Sequence, residues 1–230
     1  MREIVLDTET TGLDPLMGHR VVEIGCVELV NHIATGQHFH VYLNPERDMP
    51  AEAARVHGLT EEFLADKPVF AQVVDDFLTF IGDAPLIAHN ASFDINFVNA
   101  ELVRSGFLPL DKMRAIDTVQ IARRKFPGAP ASLDALCKRF GVDASARQLH
   151  GALLDAQLLA EVYLELRGGR QPGLAMDTLA AVTNATEETT GQAATPRSFR
   201  APRPHAATDE ELSAHNAFLD KLKDPIWRTN

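Results

Sequence analysis

The chain has 230 residues, of which 45% are hydrophobic, and a formal net charge of −10. That apolar fraction is ordinary for a globular protein with a sizeable core. The negative charge argues against a protein that holds duplex DNA by broad neutralisation of phosphates. No apolar segment suits a signal peptide or a bilayer span, so we expect a cytoplasmic protein. Cys26 and Cys137 are expected to be buried free thiols.

Strand patterns dominate the first part of the chain. Residues 2–7, Val21–Val30 and His38–Leu43 are apolar or partly alternating runs. Their short connections predict an antiparallel meander of three strands. Pro85–Ala88 and Ala115–Asp117 are short apolar segments that predict two further strands.

Helical patterns follow the meander and alternate with the later strands. Apolar spacing and capping residues predict helices over Val69–Ile81, Ser92–Ser105, Thr118–Lys125, Ser132–Phe140 and Gly151–Leu166. Strands followed by interspersed helices predict an α/β layer structure with a mixed sheet. We place this globular domain at residues 1–167.

The composition changes after this domain. Residues 168–207 are rich in Gly, Ala, Thr and Pro without an apolar stripe, which predicts a flexible linker. Thr208 and Glu211 then match a capping box that opens an amphipathic helix, and the segment ends near Trp227. A helix this short cannot bury its own apolar stripe, so residues 208–230 are predicted to dock on a partner. The alternative is that the helix folds back onto its own domain.

Two acidic residues follow the first apolar run of the chain. Asp7 and Glu9 are two positions apart, so on a strand their side chains point to the same face. Neighbouring negative charges at a buried position are unfavourable unless a cation compensates them. The pair therefore indicates a divalent metal site, although a solvated strand end or a helix cap remains open.

Later carboxylates extend this pattern. Asp155 lies in an otherwise apolar helical stretch, where an aspartate must be paired or bound to metal. Asp94 follows a buried strand at a helix start, where a first-turn structural charge is the alternative. His150 precedes Asp155 by five residues, which on a regular helix places the two side chains about 140° apart around the axis, too far for a shared face. His150 is therefore placed before the helix, where a general base could approach the site.

Three segments together resemble the motifs of the DEDDh 3′→5′ exonucleases. They are Asp7-x-Glu9, His89-Asn90-x-x-Phe93-Asp94 and His150-x-x-x-x-Asp155, in matching order over about residues 1–166. The resemblance implies a ribonuclease H-like α/β fold with three layers and a five-stranded mixed sheet. It implies two Mg²⁺ or Mn²⁺ ions held by Asp7, Glu9, Asp94 and Asp155. His150 would be the general base.

The same resemblance implies how substrate and partners bind. Glu52 and His57 match substrate-contacting positions, and the ligands Asp7, Glu9 and Asp155 would also face the substrate. Leu13, Val56 and Phe93 correspond to apolar residues that wedge the terminal nucleotide. In proofreading members of the family the last segment binds the polymerase. This implies that residues 208–230 bind the α subunit of DNA polymerase III. Gln171–Met176 loosely resembles a sliding-clamp motif, but it ends in Met rather than in an aromatic residue.

The expected function is removal of mismatched nucleotides from the 3′ end of a DNA primer, with release of 5′-mononucleotides. We expect the enzyme to be cytoplasmic and associated with the nucleoid. Two alternatives stay open. An RNA-trimming member of the family would share the site residues, although a docking tail is unnecessary for an enzyme that works alone. A non-catalytic adaptor between polymerase and clamp would not need all five site residues.

Overall fold

The computed structural model describes residues 1–147, 149–169 and 207–221. The chain divides into two compact units, residues 1–176 and 177–230. The described part of the first unit contains a sheet of strands β1 (Arg2–Thr10), β2 (Val21–Val30), β3 (Ile33–Tyr42), β4 (Leu86–Ala88) and β5 (Ala115–Asp117), in the spatial order β3-β2-β1-β4-β5.

The sheet is mixed, as the sequence predicts. β1 pairs antiparallel with β2, and β2 pairs antiparallel with β3, which confirms the three-stranded meander. β4 runs parallel to both β1 and β5. The carboxyl ends of β1 and β4 therefore meet at one edge of the sheet, the position where ligands bind in open α/β sheets.

Helices cover both faces of the sheet. They are α1 (Ala51–His57), α2 (Glu61–Leu64), α3 (Phe70–Ile81), α4 (Ala91–Arg104), α5 (Thr118–Lys125), α6 (Leu133–Phe140) and α7 (Ala152–Leu166). On β1, Ile4 and Leu6 join a core with α3 and α4, whereas Val5 joins a second core with α5, α6 and α7. Alternation along the strand thus produces the three predicted layers. Cys26 and Cys137 are buried free thiols, as expected.

Strand β3 begins five residues earlier than its sequence pattern indicates. It is joined to β2 by a two-residue turn in which Asn31 and His32 have φ values of 53° and 68°. Two consecutive positive φ values match the right-handed twist of a hairpin. The first residues of β3 are exposed, so their side chains do not show the alternation of a half-buried strand. Their pairing with β2 follows from the turn, which the local apolar pattern does not indicate.

Helices α1 and α2 are absent from the sequence-based prediction. Each is short and has a single buried residue, so neither produces an apolar stripe. Local capping still defines them. The Thr60 side chain accepts a hydrogen bond from the Phe63 N–H, and Gly58 ends α1 with φ 76°.

Helix α7 packs directly on the meander at Gly25. A Cβ atom at this position would lie 2.3 Å from the backbone of Ala152 and Leu153, at the start of α7. Gly25 faces Asp7 in the β1–β2 register. A side chain at position 25 would therefore push the α7 N-terminus away from the carboxylates of β1.

The described part of the second unit is one helix, α8 (Asp209–Leu219). It opens with the predicted capping box. Thr208 Oγ1 accepts from the Glu211 N–H, and the Glu211 side chain accepts from the Thr208 N–H at 2.8 Å. Most of the predicted linker (residues 170–206), which includes the clamp-like segment 171–176, and the Trp227 region lie outside the described residues. Within the described parts, no helix is long and apolar enough to cross a membrane.

Candidate active site

Strand β1 places two carboxylates on the face covered by α7. Asp7 and Glu9 continue the alternation that sends Val5 into the core beneath that helix. β1 extends through Thr10, so both residues are held by strand pairing, with Glu9 opposite Glu23. The predicted shared face is therefore present in the structure.

Asp94 is brought to the same edge by the turn between β4 and α4. Asn90 adopts a left-handed conformation with φ 72°, and α4 begins immediately after it. Asp94 is buried in the first helical turn. Its Oδ1 atom accepts hydrogen bonds from the backbone N–H of Thr8 at 3.1 Å and from Thr8 Oγ1 at 2.8 Å. These two hydrogen bonds fix the Asp94 carboxylate against β1.

Neighbouring His89 and Asn90 make structural hydrogen bonds. His89 Nδ1 lies 2.9 Å from Thr118 Oγ1, and the Asn90 N–H donates to Asp117 at 3.2 Å. These contacts join the ends of β4 and β5.

Asp155 is buried in the first turn of α7, where it is paired with an arginine. Arg147 donates from Nε to Oδ1 at 2.5 Å and from an Nη atom to Oδ2 at 2.7 Å. His150 precedes the helix, as predicted, and its Nδ1 lies 3.3 Å from Asp155 Oδ2. Asp155 is thus compensated in this structure by an arginine that the sequence analysis did not select.

These groups line a cavity of about 290 Å³, called the acidic cavity here. Its walls include Asp7, Glu9, Asp94, Arg147, His150 and Asp155. Ligand atoms of Glu9, His150 and Asp155 lie within 4.8 Å of one another, close enough to share one cation. Carboxylate oxygens are the donors that Mg²⁺ and Mn²⁺ prefer. The residues present therefore fit divalent metal ions.

The acidic cavity is electrostatically unfavourable without a cation. Burial is the main cause that raises the pKa of Asp7 well above its ordinary range, and repulsion from Asp94 and Glu9 raises it further. Burial and repulsion from Glu23 raise the pKa of Glu9 to about 8. Burial raises the pKa of Asp94 to about 7 despite its hydrogen bonds from Thr8. Added positive charge would favour the ionised carboxylates.

A second cavity of about 520 Å³, called the apolar cavity here, adjoins the first. It is lined by all five residues predicted to contact substrate without binding metal: Leu13, Glu52, Val56, His57 and Phe93. Thr8, Glu9 and Phe93 belong to both cavities. Leu13 and Val56 are 85% and 48% exposed. Large apolar side chains exposed beside a charged site are typical of ligand-binding surfaces.

Helix α1 links the apolar cavity to the segment that carries His150. The His150 N–H donates to the Val56 carbonyl at 3.2 Å. A Cβ atom on Gly58 would lie 2.6 Å from Leu149, so this glycine allows close contact between the two segments. His57, also on α1, is buried, and burial lowers its pKa. Its Nδ1 atom accepts from the Leu59 N–H at 3.1 Å, so the neutral ring carries its proton on Nε2.

Two charged residues beside the site, Arg147 and Glu23, were not predicted from the sequence. Arg147 could have been suspected because a buried aspartate needs a partner and Arg147 lies just upstream. Glu23 is buried on β2 opposite Glu9, and His40 Nε2 lies 2.7 Å from its carboxylate. Glu23 occupies an apolar strand pattern, and its position is set by pairing between strands, which local sequence does not specify.

Comparison with known proteins agrees with this geometry. Residues 4–163 match the family model described as exonuclease. The nuclease domain of 3′hExo, a DEDDh family member bound to rAMP, superposes with a TM-score of 0.61 at 20% identity, covering 72% of this chain and 91% of that one. That likeness supports the ribonuclease H-like fold.

Relatives at higher identity cover almost the whole chain. The DNA polymerase III subunit epsilon of Rickettsia conorii is 54% identical, covering 96% of each chain. The subunit of the same name from Escherichia coli is 46% identical, covering 99% of this chain and 97% of the other. With this identity, coverage and family match, the chain belongs to the exonuclease family and, within it, to the epsilon subunits of DNA polymerase III.

Proposed function

We propose that this 3′→5′ exonuclease removes mismatched nucleotides from DNA primer ends as the proofreading subunit of a bacterial replicative polymerase. The main support is the convergence of Asp7, Glu9, Asp94, Asp155 and His150 on one cavity. The full-length similarity to epsilon subunits supports DNA as the substrate and DNA polymerase III as the assembly.

The acidic cavity is proposed to bind two Mg²⁺ or Mn²⁺ ions through its four carboxylates. The DEDDh type of exonuclease is divalent-metal dependent. When bound, such ions neutralise the carboxylates, polarise the scissile phosphate and lower the pKa of water. Asp7 and Glu9 are held by β1, Asp94 by Thr8, and Asp155 by α7. The backbone positions that carry these ligands are therefore held by regular structure.

The proposed reaction is hydrolysis of the last phosphodiester bond. His150 accepts a proton from the attacking water, whose oxygen forms a bond to phosphorus. The bond between phosphorus and the 3′ oxygen of the preceding nucleotide breaks, and that oxygen takes up a proton. The products are a 5′-mononucleotide and a primer with a new 3′ hydroxyl group. His150 suits this role because it lies outside α7, on a segment that contacts α1.

The apolar cavity is proposed to hold the terminal nucleotide. Leu13, Val56 and Phe93 offer apolar surface to the base and sugar, while Glu52 and His57 offer polar contacts. Because Phe93 and Glu9 line both cavities, a nucleotide bound in one places its phosphate near the other. A frayed single strand can enter most easily. Mismatched ends fray more readily, so selectivity for errors can come from DNA melting.

The C-terminal region is proposed to connect the enzyme to its partners. We assign residues 1–167 to the exonuclease domain, 168–207 to a linker and 208–230 to a segment that binds the polymerase α subunit. The capped helix α8 is compatible with such a docking segment. Gln171–Met176 is proposed to contact the sliding clamp. An enzyme that edits primers would work in the cytoplasm, on the nucleoid.

The direct test is digestion of a 3′-mismatched DNA primer by the full chain, with Mg²⁺ and with EDTA. Stepwise shortening from the 3′ end, with 5′-mononucleotides released only in Mg²⁺, is expected. A matched RNA oligonucleotide should be shortened more slowly. Faster RNA digestion would favour an RNA-trimming enzyme, and no shortening of either substrate would favour an adaptor.

A further inference from the structure

Arg147 makes four polar contacts with three side chains that line the acidic cavity. Its guanidinium donates to both oxygens of Asp155 and to the carboxylate of Asp134. The third partner is His150, whose Nδ1 lies 2.8 Å from an Nη atom of Arg147. The Arg147 side chain is 10% exposed and the Asp155 side chain 4%. This cation is therefore largely removed from water and shared among three partners.

The Arg147–Asp155 pair has the geometry of a strong interaction. A planar guanidinium that donates two hydrogen bonds to one carboxylate is stronger and more directional than a single ion contact. The hydrogen bonds to Asp155 raise the pKa of Arg147, so this side chain stays charged. Arg147 also opposes the rise in the pKa of Glu9. Among the described residues, it supplies positive charge where the carboxylates meet.

These contacts conflict with the proposed chemistry. Asp155, one of the three residues whose ligand atoms could share a cation, has both oxygens occupied by Arg147. A guanidinium can only donate, so His150 Nδ1 must accept the hydrogen bond from Arg147. Arg147 thus hydrogen-bonds both to Asp155, a candidate metal ligand, and to a ring nitrogen of His150, the candidate general base.

We propose that Arg147 is an internal counter-cation that holds Asp155 in the metal-free enzyme and competes with divalent ions for that carboxylate. Arg147 would then set the metal affinity and would release Asp155 and His150 together. This inference rests on the proposed function, because it takes Asp155 to be a metal ligand.

The surroundings of Arg147 suit such an exchange. Arg147 and His150 lie on the segment that connects α6 to α7 and belong to neither helix. The guanidinium can therefore move without a change in either helix. Asp134, in the first turn of α6, is 71% exposed and remains available as a partner. Arg147 can therefore leave Asp155 without losing every carboxylate contact.

Mn²⁺ binding to the full chain, measured by isothermal titration calorimetry, tests this inference without measuring catalysis. Arg147→Gln removes the competing charge and should bind Mn²⁺ about tenfold more tightly, or about 1.4 kcal/mol. Arg147→Lys keeps a charge but lacks the planar fork, so its affinity should lie between the two. Arg124→Gln, which removes an exposed arginine on α5, is the matched control and should bind like wild type.

Thermal unfolding in EDTA supplies a second measurement. Arg147→Gln should melt below wild type without metal, because buried carboxylates lose their counter-ion, and should gain more from Mn²⁺. If Arg147→Gln does not fold, tighter Mn²⁺ binding by Arg147→Lys still tests the exchange.

The outcomes separate this inference from the proposed function. If the wild-type protein binds Mn²⁺ but the folded Arg147 variants bind it equally or more weakly, competition by Arg147 is refuted. If neither wild type nor variants bind Mn²⁺, the proposed metal site itself fails.

Discussion

The acidic and apolar cavities share Thr8, Glu9 and Phe93 but have opposite chemistry. The acidic cavity concentrates buried carboxylates, and burial raises the pKa of Asp7, Glu9 and Asp94. The apolar cavity exposes large hydrophobic side chains such as Leu13. Both arrangements are unfavourable in the free protein. Cations would relieve the first and a nucleotide would cover the second. We infer that the chemical step takes place in the acidic cavity and that the apolar cavity binds the substrate.

The largest expected effect is at a carboxylate of the acidic cavity. Asp7→Asn should reduce turnover at least about 10³-fold, because metal-ion charge stabilisation contributes several kcal/mol. The metal-free variant should melt at or above the wild-type temperature, since repulsion is removed. Primer digestion in Mg²⁺ and melting in EDTA measure the two effects. Asp75→Asn, at an exposed position on α3, is the control, and wild-type turnover by Asp7→Asn would contradict the assignment.

The next effect tests whether His150 acts on a proton or holds metal. His150→Ala should lower turnover at least about 10²-fold while largely preserving Mn²⁺ affinity, as expected for a general base. His38→Ala, at an exposed position on β3, should change neither quantity. Because His150 could also reach a shared cation, a large loss of Mn²⁺ affinity would make it a ligand instead.

A smaller effect is expected in the apolar cavity. Leu13→Ala should raise KM for a single-stranded 3′ end about tenfold with a smaller change in kcat, because a covered leucine contributes about 1.5–3 kcal/mol. Steady-state digestion separates the two constants. Leu108 is 88% exposed and lines neither cavity, so Leu108→Ala is the matched control. A loss confined to kcat would place Leu13 in the chemical step rather than in substrate binding.

The smallest effect is a pH dependence of stability in the metal-free protein. The pKa of Glu9 is about 8 in the folded protein and ordinarily 4.5. Between these values the folded state binds more protons than the unfolded chain, so stability falls as pH rises. Melting in EDTA should therefore drop by a few degrees from about pH 5 to pH 8. Glu9→Gln should flatten the profile, and a wild-type melting temperature that rises over this range would contradict it.

Much of the acidic cavity could be predicted because its signals are local. The two-residue spacing of Asp7 and Glu9 fixes a shared strand face, and an aspartate in an apolar helix stands out as Asp155 does. The position of His150 before α7 follows from helical geometry alone. The capping box of α8 is equally local.

The parts that escaped prediction depend on distances through space. The early start of β3 comes from a hairpin turn, and α1 lacks an apolar stripe although it carries four residues of the apolar cavity: Glu52, Ala53, Val56 and His57. Neither feature changes the periodicity that sequence analysis detects.

The sequence alone determined which residues have carboxylate, imidazole or apolar side chains, and which face of a strand or helix each occupies. These properties follow from covalent chemistry and from the fixed periods of regular structure. Tertiary structure decided that the two cavities adjoin and that Arg147, rather than solvent, pairs with Asp155. Pairing energies depend on separation and burial in the folded chain, and no local pattern encodes either quantity.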